Sequence, residues 1–200
     1  MDNRGGTLRH LINPNQQISQ ATWGQIIYGI ADRLFHTHGQ GIVHGDLKPS
    51  NGTSFCSWSY IVLIDMVQSE DTGQNAIDWR GIHVTDYGIY PSSQYAGRWI
   101  PGTLSYWAPE IKIANAIPTA ESDMWALGCI AYEMCVGLQL SHGNTRAPID
   151  AVALGGFLDL SRIPQRFDEG VRYVIGNLLR FHPGERATAQ QLKEYLEQNF

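Results

Sequence analysis

The feature that most restricts the fold of this chain is a nearly uninterrupted apolar segment at residues 123–136. It reads Asp-Met-Trp-Ala-Leu-Gly-Cys-Ile-Ala-Tyr-Glu-Met-Cys-Val, which places apolar side chains on most sides of a helix. Such a helix is stable only when other parts of the protein surround it. Because the segment is shorter than the roughly 18 apolar residues of a membrane span, we expect it at the centre of a globular core. Gly137 should end it.

Three further helices are predicted, at residues 22–38, 171–179 and 187–200. In each of them apolar residues recur at helical spacing. The first helix should be capped by Ser19 or by Thr22, since both carry a hydroxyl just before the periodic segment. These helices supply the apolar surface that the central helix needs.

Two short β-branched segments, Tyr60–Ile64 and Ile82–Thr85, are typical of strands. The polar residues from Gln68 to Gly81 suit a long connection between them. We therefore predict a fold that is mainly α with a small β-hairpin, organised as one domain over residues 1–200.

Composition excludes several classes of protein. The net charge is −5 and no cluster of Lys and Arg is present, so we expect no nucleic-acid partner. No segment is long and apolar enough for a membrane span, and the first residues lack the apolar core of a signal peptide. The three cysteines are scattered and odd in number. A cytoplasmic or nuclear protein with free thiols is expected.

The densest chemical signal is the segment His44-Gly-Asp-Leu-Lys-Pro-Ser-Asn51. It brings a carboxylate (Asp46), an ammonium (Lys48) and an amide (Asn51) into one short polar loop. Phosphoryl transfer needs such groups to orient a hydroxyl, to place a cation near the moving phosphoryl group and to ligate magnesium. The alternative is an ordinary surface loop of mixed charge.

This segment resembles the catalytic loop of eukaryotic-type protein kinases, His-Arg-Asp-Leu-Lys-Pro-x-Asn, in its serine/threonine branch. The resemblance implies that Asp46 is the catalytic base, that Lys48 contacts the γ-phosphate of ATP and that Asn51 is a magnesium ligand. His44 is expected to be a structural residue that hydrogen-bonds backbone. The histidines of the preceding helix end, His36 and His38, are expected to be surface or packing groups.

Asp86-Tyr-Gly88 is similar to the Asp-Phe-Gly of the same family, which implies that Asp86 holds magnesium and that Gly88 gives the loop freedom. Asp65 competes for this assignment, because it also follows an apolar strand, 14 positions after Asn51. We favour Asp86, since no glycine stands close behind Asp65. Asp65 is then expected in the turn of the hairpin.

Three more motifs follow in the family's order. Gly102–Glu110 resembles the end of the activation segment, with Thr103 and Tyr106 on the platform for a protein substrate. Ser122–Gly128 resembles the start of the central helix, where Asp123 would hydrogen-bond the catalytic-loop backbone. Arg186 matches the arginine that pairs with Glu110. An ion pair inside a packed lobe is credible only when both partners are present, as they are here.

The chain departs from the family pattern in two respects. Gly45 replaces the usual arginine, so an ion pair with a phosphorylated activation segment cannot form and control through that contact is not expected. No Gly-x-Gly-x-x-Gly motif and no Val-Ala-x-Lys strand precede the catalytic loop. We therefore expect residues 1–200 to correspond to the C-terminal lobe alone, with reduced intrinsic activity.

The leading hypothesis is a serine/threonine protein kinase lobe that uses ATP and Mg. A non-catalytic, kinase-derived module that docks another protein is the alternative. A small-molecule kinase of related fold is a third possibility, which the platform at Gly102–Glu110 disfavours. Tight binding of Mg-ATP would discriminate the first two.

Overall fold

A computed structural model describes residues 8–12, 18–49, 62–68, 75–84, 104–114, 116–140 and 160–200, the two strands through their backbone. It contains helices, strands and two short 3-10 turns in the following order: α1 (Leu8–Leu11), α2 (Gln20–Gly39), β1 (Val62–Gln68), β2 (Asn75–Val84), a 3-10 turn (Leu104–Tyr106), α3 (Pro109–Ala114), α4 (Ala120–Val136), α5 (Glu169–Leu178), a 3-10 turn (Pro183–Glu185) and α6 (Ala189–Asn199).

Helix α4 is the buried centre of the molecule, as its apolar sequence predicts. Every residue from Ser122 to Cys135 is buried. The helix begins at Ala120, three residues earlier than predicted, because the Thr119 N–H donates to Ser122 Oγ at 2.8 Å and supports an additional turn. It ends at Gly137, whose positive φ of 77° closes the helix in a left-handed cap.

Helices α2, α5 and α6 pack around this centre: α2 against α4 and α6, and α5 against α4. The Trp23 indole N–H donates to the Ala131 carbonyl at 3.0 Å and ties α2 to α4 inside the core. Gly128 permits a close approach of α5. A Cβ at this position would lie 2.8 Å from Leu179 Cδ2 and 2.9 Å from Leu178 Cβ.

Side-chain caps fix the starts of the outer helices. Ser19, rather than Thr22, caps α2, because its hydroxyl oxygen accepts from the Thr22 N–H. Asp168 caps α5 and accepts from the Val171 N–H at 3.1 Å. Thr188 and Gln191 form a reciprocal capping box at the start of α6.

Strands β1 and β2 pair antiparallel, with Val62 opposite Val84 and Gln68 opposite Asn75. The prediction that a polar connection runs from Gln68 to Gly81 is wrong from Asn75 onward, because Ile77 and Trp79 are strand-forming residues within β2. Thr85, the predicted end of the second strand, lies outside the described residues.

The hairpin-turn position predicted for Asp65 is also wrong. Asp65 lies inside β1, between the pairs Ile64–Ile82 and Met66–Ile77. Residues 78–81 stand opposite it as a bulge, and β1 continues past it to Gln68, so the connection between the strands is shorter than the predicted segment Gln68–Gly81.

Cys129 and Cys135 are buried free thiols on α4. Burial is the main cause that raises the pKa of each to about 12. Both therefore stay protonated at neutral pH. Within the described ranges no helix combines the length and the apolarity that crossing a membrane requires.

Candidate active site

Asp46 and Lys48 form an ion pair in the loop that follows α2. Lys48 Nζ lies 2.8 Å from Asp46 Oδ2. Asp46 is 5% exposed and Lys48 is 7% exposed. Leu47, between them, is buried in the hydrophobic core and anchors the loop to it. The loop therefore holds a cation beside a carboxylate in a site that water reaches poorly, where charges interact more strongly than in bulk solvent.

Asp123, in the first turn of α4, holds the backbone of this loop. Its Oδ2 accepts from the His44 N–H and its Oδ1 from the Gly45 N–H, both at 2.8 Å. The carboxylate is 1% exposed, so these charge-assisted bonds are shielded from water. Gly45 adopts a φ of +80°, which a glycine accepts without the strain that a side chain would add.

The third group that contacts the Asp123 carboxylate is the imidazole of His38, at the end of α2. His38 Nε2 lies 2.9 Å from Asp123 Oδ2. The Asp123 carboxylate therefore joins the end of α2 to the loop as well as to α4. The prediction of a surface or packing role fits His36, whose side chain is 58% exposed, but it is wrong for His38. The signal that could have identified it is an imidazole ring placed directly before the catalytic loop.

His44 itself contacts the backbone of the loop, since its Nδ1 accepts from the Asp46 N–H at 3.3 Å. The imidazole is fully buried. This contact joins the His44 ring to the backbone of the loop.

Tyr106, in the first 3-10 turn, contacts the other end of α4. Its hydroxyl donates to Glu133 Oε2 at 2.6 Å and accepts from the Gln139 side-chain amide at 3.2 Å. The Arg9 guanidinium pairs with the other oxygen of Glu133. Burial, and then the Glu133 charge, raise the pKa of Tyr106 well above its ordinary value. Sequence reasoning missed Arg9 and Glu133, because no motif marks either residue.

Glu110 and Arg186 form a bidentate ion pair. Arg186 Nη1 and Nη2 donate to the two Glu110 carboxylate oxygens at 2.8 and 2.7 Å. The remaining N–H groups of the guanidinium donate to the carbonyls of Arg180, Glu121 and Phe181. The guanidinium of Arg186 also lies over the Trp125 ring, with Cζ 5.2 Å from the centroid of the ring. This pair joins α3 to the segment before α6.

The catalytic loop and the 3-10 turn lie against each other. Gly45–Leu47 and Tyr106–Ala108 line the same small cavity, together with the start of α4. The structure therefore brings Asp46, Lys48, Tyr106 and Asp123 into one region.

Four predicted site residues lie outside the described residues: Asn51, Asp86, Gly88 and Thr103. Among the residues that are described, no cluster of three His, Cys, Asp or Glu side chains could hold a metal ion. Asp46 and Lys48 place one carboxylate and one ammonium at the same loop. Asn51 and Asp86 stay predicted as the ligands.

The family of the chain follows from comparison with known proteins. The family model described as the protein kinase domain matches residues 3–196. The chain therefore belongs to the protein kinase family, and the eukaryotic-type resemblance predicted from its motifs is confirmed.

Several curated relatives are serine/threonine kinases by name. The chain is 27% identical to Aurora/IPL1-related protein kinase 2 of Caenorhabditis briggsae, over 96% of this chain and 55% of that protein. It is 29% identical to serine/threonine-protein kinase ppk21 of Schizosaccharomyces pombe, over 83% of this chain and 27% of that protein. Serine/threonine-protein kinase ksg1 of the same yeast is 28% identical, over 96% and 31%. The chain thus spans about half or less of the length of these relatives.

Proposed function

We propose that this protein is a serine/threonine protein kinase that transfers the γ-phosphate of ATP to a protein hydroxyl. The observation that carries the proposal is the Asp46–Lys48 pair at 2.8 Å, held in a loop whose backbone is bound by Asp123. Catalysis of phosphoryl transfer consists mostly of positioning and charge stabilisation. A rigid loop that carries one base and one cation supplies both.

Each residue has a distinct task in this proposal. Asp46 accepts a hydrogen bond from the substrate hydroxyl and orients its oxygen toward the phosphoryl group. Lys48 places positive charge where negative charge builds on the transferred group. Asn51 and Asp86 would hold magnesium. Gly88 would give the loop that carries Asp86 its backbone freedom. When bound, Mg-ATP supplies the phosphoryl group and neutralises part of its charge.

Tyr106 supports the platform for a protein substrate. Its ring is buried and its hydroxyl is fixed by Glu133, so the preceding Leu104 and Ser105 are presented from a rigid turn. Thr103 is proposed to continue this platform toward the catalytic loop. Substrates are therefore expected to be proteins with a serine or threonine hydroxyl.

Gly45 makes the order of the loop independent of an activation-segment phosphate. The backbone N–H of Gly45 is bound by Asp123 with no help from a side chain at position 45. An arginine that would need a phosphate partner is absent. We therefore propose that phosphorylation of the activation segment does not switch this kinase through position 45.

The test is phosphate transfer from radiolabelled Mg-ATP to a library of Ser- and Thr-containing peptides. We expect Asp46→Asn to lower the rate at least about 100-fold, since general-base and positioning effects reach that size. Asp32→Asn, a matched change outside the catalytic loop, should leave the rate within about twofold. Equal transfer by the native protein and Asp46→Asn would refute the proposal.

Failure of the native protein to bind Mg-ATP would instead favour the non-catalytic docking module. Binding can be followed by fluorescence of a nucleotide analogue in the presence and absence of magnesium. Magnesium-dependent binding that is lost in Asp86→Asn but retained in Asp46→Asn would support the kinase.

A further inference from the structure

A pocket of about 260 Å³ lies on the side of α4 that faces away from Tyr106 and the 3-10 turn. The end of α2 and the starts of α4 and α6 enclose it. Its volume is below the roughly 300–1,000 Å³ of sites for drug-sized ligands, so it suits a small molecule. Its wall includes Phe35, His38, Glu121, Met124, Arg186 and Ala189.

The wall of this pocket is mainly apolar. Met124 and Ala189 are buried at its base, and Phe35 stands at its edge with 37% of its surface exposed. An apolar body entering the pocket would remove the edge of Phe35 from water, which favours binding. The small side chains Ala120 and Ala187 leave the space open.

The charged groups around the pocket favour a cation. Arg186 cannot attract an anion, because its five N–H groups are all engaged and its charge is balanced by Glu110. Glu121 lies at the exposed rim. Chiefly because of a hydrogen bond from Thr119, the pKa of its carboxyl lies below its usual range, so it is ionised at neutral pH. Among the described residues of the wall, this carboxylate is the exposed charge. Just outside the wall, the Lys193 ammonium lies 4.8 Å from the centre of the Phe35 ring, and its charge is balanced by Asp32 at 2.5 Å.

The pocket is connected to the catalytic loop by two hydrogen-bonded residues. His38 forms part of the wall and contacts Asp123 through Nε2. Asp123 in turn accepts from the N–H groups of His44 and Gly45. A ligand that presses on the imidazole therefore acts on the carboxylate that fixes the loop.

We propose that this pocket is a regulatory site for a small molecule with an apolar body and a protonated amine. Its occupation displaces His38 and, through Asp123, shifts the backbone at Gly45. The regulatory consequence for phosphate transfer rests on the proposed kinase function. Binding and the shift of the loop do not.

The test is a titration with 2-phenylethylamine, followed by NMR of protein labelled with ¹³C in its methionine methyl groups and with ¹⁵N in its amides. The chain has four methionines. Saturable shifts are expected at Met124, which lines the pocket, and at the Gly45 amide. Met134, ten positions further along the same helix, should stay unchanged. Phenylacetate, with the opposite charge, should bind at least about fivefold more weakly.

Variants separate the two parts of the proposal. Glu121→Gln should weaken binding of the amine about threefold to fivefold, the effect of one partly exposed ion pair. Glu169→Gln, a matched change in the first turn of α5, should leave binding unaltered. His38→Ala should keep the Met124 shift and lose the Gly45 shift.

An unshifted Met124 at saturating probe, or equal affinity for the amine and for phenylacetate, would overturn the site. A Met124 shift with no response at Gly45 would overturn the coupling. None of these readouts uses phosphate transfer, so they stand or fall separately from the proposed kinase activity.

Discussion

Each end of helix α4 carries a buried carboxylate that anchors another part of the chain to the helix, and the two carboxylates bind different kinds of partner. Asp123, in the first turn, binds two backbone N–H groups of the catalytic loop and one imidazole. Glu133, one turn before the end, binds side chains in the part of the chain that the structure describes, those of Arg9 and Tyr106. Each carboxylate is 1% exposed, so each must be satisfied by its partners.

The difference shows what each anchor demands of the sequence. Backbone N–H groups exist at every residue except proline, so Asp123 requires no particular side chain as a hydrogen-bond donor in the loop. The side chains of the loop are then available for chemistry, as in Asp46 and Lys48. The anchor at Glu133 works only if an arginine and a tyrosine are encoded at two distant positions.

The largest expected effect is that of Asp123→Asn. The amide keeps the size of the side chain but turns an N–H₂ toward groups that are themselves donors, which weakens two or more charge-assisted bonds. We expect a loss of about 3–5 kcal/mol in the free energy of unfolding, measured with urea, and loss of phosphate transfer. A loss below about 1 kcal/mol would show that the loop does not depend on this anchor.

Glu133→Gln should cost less, about 2 kcal/mol, because the amide oxygen still accepts from Tyr106 while the pair with Arg9 loses its charge. The same urea titration measures it, with the exposed Glu185→Gln as the matched control. A cost larger than that of Asp123→Asn would reverse the comparison between the two ends.

Two tyrosines test how far burial matters for one kind of bond. Tyr106 donates to Glu133 at 2.6 Å in the interior, and Tyr28 donates to Glu197 at 2.7 Å on the surface. Tyr106→Phe should destabilise by about 1–3 kcal/mol, since it leaves a buried acceptor short of a donor. Tyr28→Phe should cost about 0.5 kcal/mol or less. Equal costs would mean that the buried carboxylate finds a replacement donor.

The smallest expected effect is a pH dependence at Tyr28. The bond to Glu197 raises the pKa of this hydroxyl from its ordinary 10 to about 12. A raised pKa in the folded state gives a contribution that is complete below pH 10 and lost as the pH rises toward 12. The difference in phenolate absorbance between the native protein and Tyr28→Phe should therefore titrate near pH 12. A midpoint near pH 10 would contradict the hydrogen bond.

The same contrast explains what the sequence could predict. Short motifs place Asp46 and Lys48 within three positions, so their meeting is a local property of one loop. Asp123 was predictable because its whole surrounding motif resembles a family pattern. Arg9 and Glu133 lie 124 positions apart, and nothing local to either residue indicates the other.

The strands illustrate a second limit. Polarity extended the predicted connection too far along the chain, into β2, because a bulge lets polar residues stay in a strand without facing a partner in register. His38 shows a third limit: a histidine at a helix end is ordinary in sequence, and only the position of Asp123 in space gives it a task. The bounds of the hairpin connection and the role of His38 both depend on which residues meet in space, and residue type alone does not indicate this.

Gly128 allows α4 to pack closely against the end of α5. Leu178 and Leu179 occupy the space in which any larger residue at position 128 would place its first carbon. Even alanine would push α5 outward, and with it the chain that leads through residues 180–186 to the Glu110 partner. A change of one methyl group in the middle of α4 would thus be felt at the Glu110–Arg186 ion pair, with no polar atom altered along the way.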